Sequence, residues 1–249
     1  MKALLAEFQK TRKRKIWVII AALIAVELLW LLWAFRKMDN TELAQGWKRF
    51  MYQLPLLNAL IMPVVAAVTA SRLCDIEHKG NTFKLLRTFL PAGVIFDAKF
   101  VCGALYMLAA ILLQVAVMIG YGNVKGFTEP FPSLMLAYYL LFVASVSLTL
   151  YLLQQVLSLL FRNQMAALTV GLLGGLFGLF SMFFPQWLQK LIPWGYYGVL
   201  MVVNMTWDEA TRVSTFQWLP ANWSGFFILL VVFAIVYAIG RSAFVRKEL

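Results

Sequence analysis

The sequence predicts an all-α membrane protein of six transmembrane helices, with both termini cytoplasmic. Three observations carry this. The 249 residues are 62% hydrophobic and only 13% charged, whereas average soluble domains are about 45–50% apolar and about 25% charged. The apolar residues gather into six runs of roughly 20, the length a bilayer core demands. Basic residues cluster at alternate ends of those runs, as the positive-inside rule requires. Residues 1–249 read as a single transmembrane domain, without a soluble domain, linker or repeat.

Residues 1–15 form a short amphipathic start, with Leu4, Leu5 and Phe8 on one face and KTRKRK beyond. The first span covers Ile16–Phe35. Its apolar run is too long for a signal h-region and ends in AFRKMDN, without a small-residue cleavage site, so it reads as a retained helix. Glu27 lies well inside it, where a carboxylate costs several kcal/mol unless paired or near water. It could be a pathway or gating residue facing a cavity, or a carboxyl bonded within the bundle. A neutral acid, or an indole partner among Trp17, Trp30 and Trp33, would also fit.

The second span covers Tyr52–Leu73 and carries Pro55, Pro63, Asn58 and Thr69. Prolines free backbone carbonyls, which is tolerable at membrane depth only where protein or water satisfies them. This helix is therefore expected to line an internal path. Residues 74–91, CDIEHKGNTFKLLRTFLP, interrupt the apolar pattern. Gly80 breaks the helix, and Asn81 or Thr82 can cap a new one. Pro91 then ends it. Phe83, Leu86, Phe89 and Leu90 are expected to share a face, with Lys84 and Arg87 elsewhere. Such a short amphipathic helix can lie on lipid or dock into a groove on another protein.

The third span covers Phe100–Gly120. The fourth covers Leu134–Leu160, where Gln154 and Gln155 read as inter-helix hydrogen-bonding groups. The fifth covers Met165–Phe184 and contains GLLGGLFG. There Gly171 and Gly175, and Gly174 and Gly178, form two offset GxxxG pairs that allow close helix approach. Packing within the chain, a dimer face and a flexible pore helix all suit that pattern. Residues 185–224 form a large outer loop. Its segment Leu191–Val203 is too short and too interrupted by Pro193, Gly195 and Gly198 to span, and reads as interfacial or re-entrant. Trp187, Trp194, Tyr196, Tyr197, Trp207, Trp218 and Trp223 suit an aromatic belt. The sixth span covers Gly225–Phe244.

With the N-terminus inside, 15 of the 22 Lys and Arg residues fall inside; Arg36, Lys37, Lys48, Arg49, Lys125, Lys190 and Arg212 fall outside. The net charge of +11, suggestive of nucleic acid in a soluble chain, is explained by these flanks; no nucleic-acid partner is expected. Cys74 and Cys102 offer no disulfide framework and lie near the cytoplasmic side, where thiols stay reduced.

Catalytic chemistry is not evident. There is no GxxxxGK[ST] for ATP and no HExxH. His78, the sole histidine, has no metal-ligand company. Asp208 and Glu209 read as solvated loop charges. An intramembrane enzyme would have to rely on Glu27, His78 or the Asp208–Glu209 pair, and none has a recognisable partner set.

The segment from Glu77 through GNTFK and Leu-Leu to Pro91 and Lys99 resembles the cytoplasmic segment of ABC-2 type permeases. Glu77, Gly80, Thr82, Lys84, Leu85, Leu86, Pro91 and Lys99 match the pattern: Glu, a Gly/Asn-Thr turn, an apolar-Lys pair, Leu-Leu, and Pro before the Lys that opens the third span. The basic start, six spans and large loop between spans five and six agree along essentially the whole chain. Within the family the chain is most similar to the lantibiotic immunity branch, although Phe83 stands where many of that branch have Trp.

The resemblance implies a transport subunit in the bacterial plasma membrane that is not itself an enzyme and holds no cofactor. ATP and Mg would sit on a separate ABC ATPase dimer, and a second permease copy or paralogue would complete the pathway. The substrate would be an amphiphilic, membrane-active peptide such as a lantibiotic. A small drug, a lipid-linked molecule, sodium, or a motor-free immunity role are the alternatives. In that scheme Glu77, Lys84 and Arg87 make polar contacts to the ATPase. Thr82 belongs to the same ATPase-coupling set, and Phe83, Leu86 and Phe89 fill the ATPase groove or anchor the helix. Glu27, Asn58 and Pro63 belong to the pathway.

Overall fold

A computed structural model describes residues 2–80, 82–210 and 212–247. In chain order the helices are α1 (Lys2–Lys13), α2 (Ile16–Ala34), α3 (Asn40–Leu43), α4 (Gly46–Gly80), α5 (Phe83–Phe89), α6 (Ala92–Lys125), α7 (Ser133–Leu160), α8 (Gln164–Ser181), α9 (Gln186–Gln189) and α10 (Tyr196–Val199). A hairpin of β1 (Val203–Asp208) and β2 (Val213–Trp218) precedes α11 (Trp223–Arg246). Six of these helices are long and apolar enough to cross a membrane: α2, α4, α6, α7, α8 and α11. They coincide with the six predicted spans.

The helices overrun those spans where the sequence turns polar. α4 has 35 residues, about 52 Å at about 1.5 Å per residue, against a hydrocarbon core of about 30 Å. It therefore projects beyond the core, and its ends carry Lys48 and Arg49 at one side and Asp75, Glu77 and Lys79 at the other. α4 is also the centre of the bundle, packing on α2, α6, α7 and α8. Between α1 and α2 the chain turns at Lys15, whose backbone is left-handed (φ 51°).

The segment between α8 and α11 departs from the all-α expectation. VNMTWD and VSTFQW pair antiparallel from Val203 opposite Trp218 to Asp208 opposite Val213. Both are rich in β-branched and aromatic residues. The Thr206 and Thr215 hydroxyls lie 2.6 Å apart across the pair. The segment before it, expected to be interfacial or re-entrant, forms α10 after a 3-10 turn at Pro193–Gly195, and it buries Tyr196, Tyr197, Val199 and Leu200 against the main core.

Side-chain contacts define the two ends of the bundle. At the hairpin end, Phe216 N donates to Gln45 Oε1 at 2.8 Å, Trp47 Nε1 donates to Glu129 O at 3.2 Å, and Tyr121 OH donates to Phe35 O at 2.7 Å. Asp39 caps α3 there; hydrogen bonds from Thr41 and then from Glu42 N lower its carboxyl below the usual range. At the opposite end, α1, α5, the end of α4, the start of α6, the α7–α8 turn and the last turn of α11 come together.

Candidate functional site

The first feature at the α1–α5 end is a closed ring of charge. One face of α1 turns Leu4, Glu7, Phe8 and Thr11 inward. Leu5, expected on the apolar face, is instead exposed. The spacing of Leu4, Glu7, Phe8 and Thr11 is that of an inward helical stripe, so an acid has taken a core position. Lys99, 0% exposed, spends all three ammonium hydrogens: on Glu7 Oε2 at 3.0 Å, Glu77 Oε2 at 2.8 Å and Leu73 O at 2.7 Å. Lys10 Nζ closes the ring, donating to Glu7 Oε1 at 2.8 Å and Glu77 Oε1 at 2.7 Å. Two carboxylates thus accept on all four oxygens from two ammoniums. The ring joins α1, α4 and α6, three segments far apart in sequence. Tyr151 OH donates to Lys99 O at 3.0 Å and fixes the same turn to α7.

Glu77, expected to contact a partner protein, is 1% exposed. Its carboxylate faces inward, where Lys10 and Lys99 each donate to one of its oxygens. A buried, fully paired ion is costly to break: removing one partner typically costs about 3–5 kcal/mol.

Above this ring lies α5. Phe83 is buried, its ring edge-on to His78 (4.9 Å between centroids) and to Phe244 (5.8 Å). Leu86 and Leu90 pack on the same small cluster. Arg87 was expected to be free for a partner, but its guanidinium donates to Lys247 O at 2.9 Å and Phe244 O at 2.5 Å and stacks over the Phe244 ring. It thereby satisfies carbonyls that the end of α11 leaves orphaned. Lys247 returns the tie, donating to Leu159 O at 3.0 Å and Leu160 O at 2.9 Å. Burial there, and then the like charges of Arg162 and Arg87, hold its ammonium below the usual lysine range.

The inward stripe of α5 is therefore Phe83, Leu86, Arg87 and Leu90. Phe89, predicted on that stripe, is 76% exposed. At six residues from Phe83 it lies about a third of a turn away. Lys84, Leu85 and Thr88 also face outward. Thr82 occupies the N-cap position, but its side chain makes no capping bond; Asn81, the other expected cap, lies outside the described residues. His78 Nε2 lies 2.9 Å from Ser158 O, and among the described residues no His, Cys, Asp and Glu group could hold a metal.

Deeper in the bundle, four helices meet at a polar chain. Gln114 Nε2 of α6 donates to Glu27 Oε2 of α2 and to Asn58 Oδ1 of α4, each at 2.9 Å. Asn58 Nδ2 reaches Tyr139 OH of α7 at 3.4 Å. The partner of Glu27 is thus an amide, while Trp17, Trp30 and Trp33 point away to the surface. Asn58 is fully buried and bonded. Pro63 packs under α8, where its ring and carbonyl lie close to Gly175 and Gly171.

The glycines of α8 serve this chain's own packing. A Cβ at Gly171 would collide with Ala67, and one at Gly175 would come within 3.1 Å of Leu60 O. Gly174 and Gly178 receive Trp194. All four glycines are thus approached closely by this chain's own atoms. Sequence reasoning missed Glu7, Lys10, Gln114 and Tyr139. An acid within the amphipathic start and a lone Gln in the apolar third span were the available signals.

Residues 3–178, from α1 to near the end of α8, match the family model described as ABC-2 family transporter protein. The chain belongs to this family. No curated protein and no solved structure gives a match. The matched region contains the charge ring, α5 and the Glu27–Gln114 chain. An ABC-2 permease is a multi-pass membrane transport subunit, and membership implies an ABC ATPase as its partner.

Proposed function

We propose that this permease expels an amphiphilic, membrane-active peptide of the lantibiotic type from a bacterial plasma membrane, driven by a separate ATPase dimer that binds ATP and Mg. The α1–α5 end faces the cytoplasm, as the excess of Lys and Arg there supports. A second copy or a paralogue of the chain completes the pathway.

The observation that carries the ATPase-driven reading is the divided surface of α5. Its inner face is clamped by Phe83, Leu86 and Arg87, while Leu85 and Phe89, four residues apart on one side, and Lys84 stand exposed. An exposed Leu–Phe pair on a firmly anchored helix suits insertion into a groove on another protein. Push or pull on α5 would reach α11 through Arg87. It would reach α1, α4 and α6 through the ring built on Glu77. Glu77 and Arg87 are positioning residues in this scheme, and Thr82 leads the chain into α5.

The test is co-expression with the cognate ATPase and purification through the permease. Lys84→Glu and Phe89→Asp should each strip the ATPase from a normally inserted permease and abolish resistance. Retention of ATPase and resistance in both would overturn the docking scheme. A deletion strain screened against lantibiotics, small drugs and sodium tests the substrate: selective sensitivity to lantibiotics supports the proposal, and sensitivity to another class replaces it.

A further inference from the structure

We propose that Glu27 and Gln114 form a proton-binding site inside the bundle, an acid–amide pair in which Glu27 is a neutral carboxylic acid. Glu27 lies on the inward stripe of α2 with Ile20, Ile24, Leu28 and Leu31 and is 2% exposed. The ion pairs among the described residues all lie elsewhere. A carboxylate buried this deeply with no cation paired to it among the described residues neutralises rather than remaining charged.

The hydrogen-bond ledger locates the proton. Gln114 commits both Nε2 hydrogens, to Glu27 Oε2 and to Asn58 Oδ1. That double donation fixes which way its amide points, leaving Gln114 Oε1 only able to accept. Two buried oxygens then stand without partners, Glu27 Oε1 and Gln114 Oε1. They belong to two groups already joined through their other atoms. One hydrogen on Glu27 Oε1 makes it a donor and gives Gln114 Oε1 something to accept, completing a two-bond acid–amide pair.

A metal cation would need a shell of several oxygens, and this pair offers two orphans. The titratable groups facing Glu27 from the packed elements do not supply a charge either. Tyr139 of α7 is reached through Asn58, and Tyr197 of α10 is bonded to Ser147 at 2.8 Å. Neither phenol can carry a positive charge. Glu7 and Lys10 of α1, with Lys99 of α6 and Glu77 of α4, are committed to the closed ring.

The test is infrared difference spectroscopy on the full-length permease in lipid nanodiscs, wild type against Glu27→Gln. At neutral pH the wild type should show the carbonyl stretch of a protonated carboxylic acid, shifted in D2O and absent from the variant. A difference spectrum containing only carboxylate bands would overturn the proposal. The melting temperature gives a second reading. Glu27→Gln, a neutral isostere of a neutral acid, should leave it unchanged; a large rise would mean that a buried charge had been removed and would equally overturn the proposal. Should the variant fail to insert, wild type carrying carboxyl-labelled glutamate suffices: a protonated-glutamate carbon signal at pH 7 supports the site, and its absence refutes it.

Discussion

Lys99 shows how one side chain can hold three segments of chain together. An ammonium has three hydrogens, and on α6 Lys99 spends one on Glu7 of α1 and two on Leu73 and Glu77 of α4. Lys99→Met should lower unfolding stability by about 3–5 kcal/mol, because two buried carboxylates lose the more buried of the two lysines they share. Adding Glu7→Gln and Glu77→Gln to that variant should restore most of the loss. Thermal unfolding of the three proteins, wild type included, in detergent checks this; no recovery in the triple variant would show that the ring is not what the lysine supports. Half of this arrangement was legible in the sequence. Glu77 and Lys99 stand out as charges at span ends, while Glu7 looks like one more polar residue of a surface helix until α6 is packed against it.

At the scale of elements, α5 and α8 teach opposite lessons. The borders of α5 were readable because Gly80 and Pro91 punctuate the chain. Its orientation was not, because seven residues offer too few turns for a period to distinguish Phe89 from Arg87. The structure decides it through the end of α11, which needs donors for its last carbonyls, and Arg87 supplies them. Arg87→Gln should therefore cost about 1–3 kcal/mol and loosen the C-terminal turn of α11, seen as faster amide exchange there. In α8 the GxxxG spacing announced close packing but not the partner, which proved to be α4 on one side and Trp194 on the other. Gly171→Leu should destabilise the bundle by about 1–3 kcal/mol or more through overpacking. Gly120→Ala, where a Cβ meets nothing within 4 Å, should be neutral or slightly stabilising. Equal effects in a melting assay would contradict the packing described for α8.

At the scale of the whole molecule, the six spans were legible because length and apolarity are set by the bilayer itself. The β1–β2 hairpin was not, since two six-residue strands carry little pattern among aromatic residues that also suit an interface. The assembled chain has two unlike ends: an aromatic and hairpin-covered one, and a basic one where α5 is braced from beneath. The central claim is that a motor protein grips the outward side of α5. Site-specific photo-crosslinking in intact membranes tests it most directly, with the probe placed in turn at Leu85, Phe89, Phe83 and the hairpin residue Trp207. The account predicts crosslinks to the ATPase from positions 85 and 89, and none from the inward position 83 or from 207. An ATPase crosslink from 207, or none from 85 and 89, would contradict it.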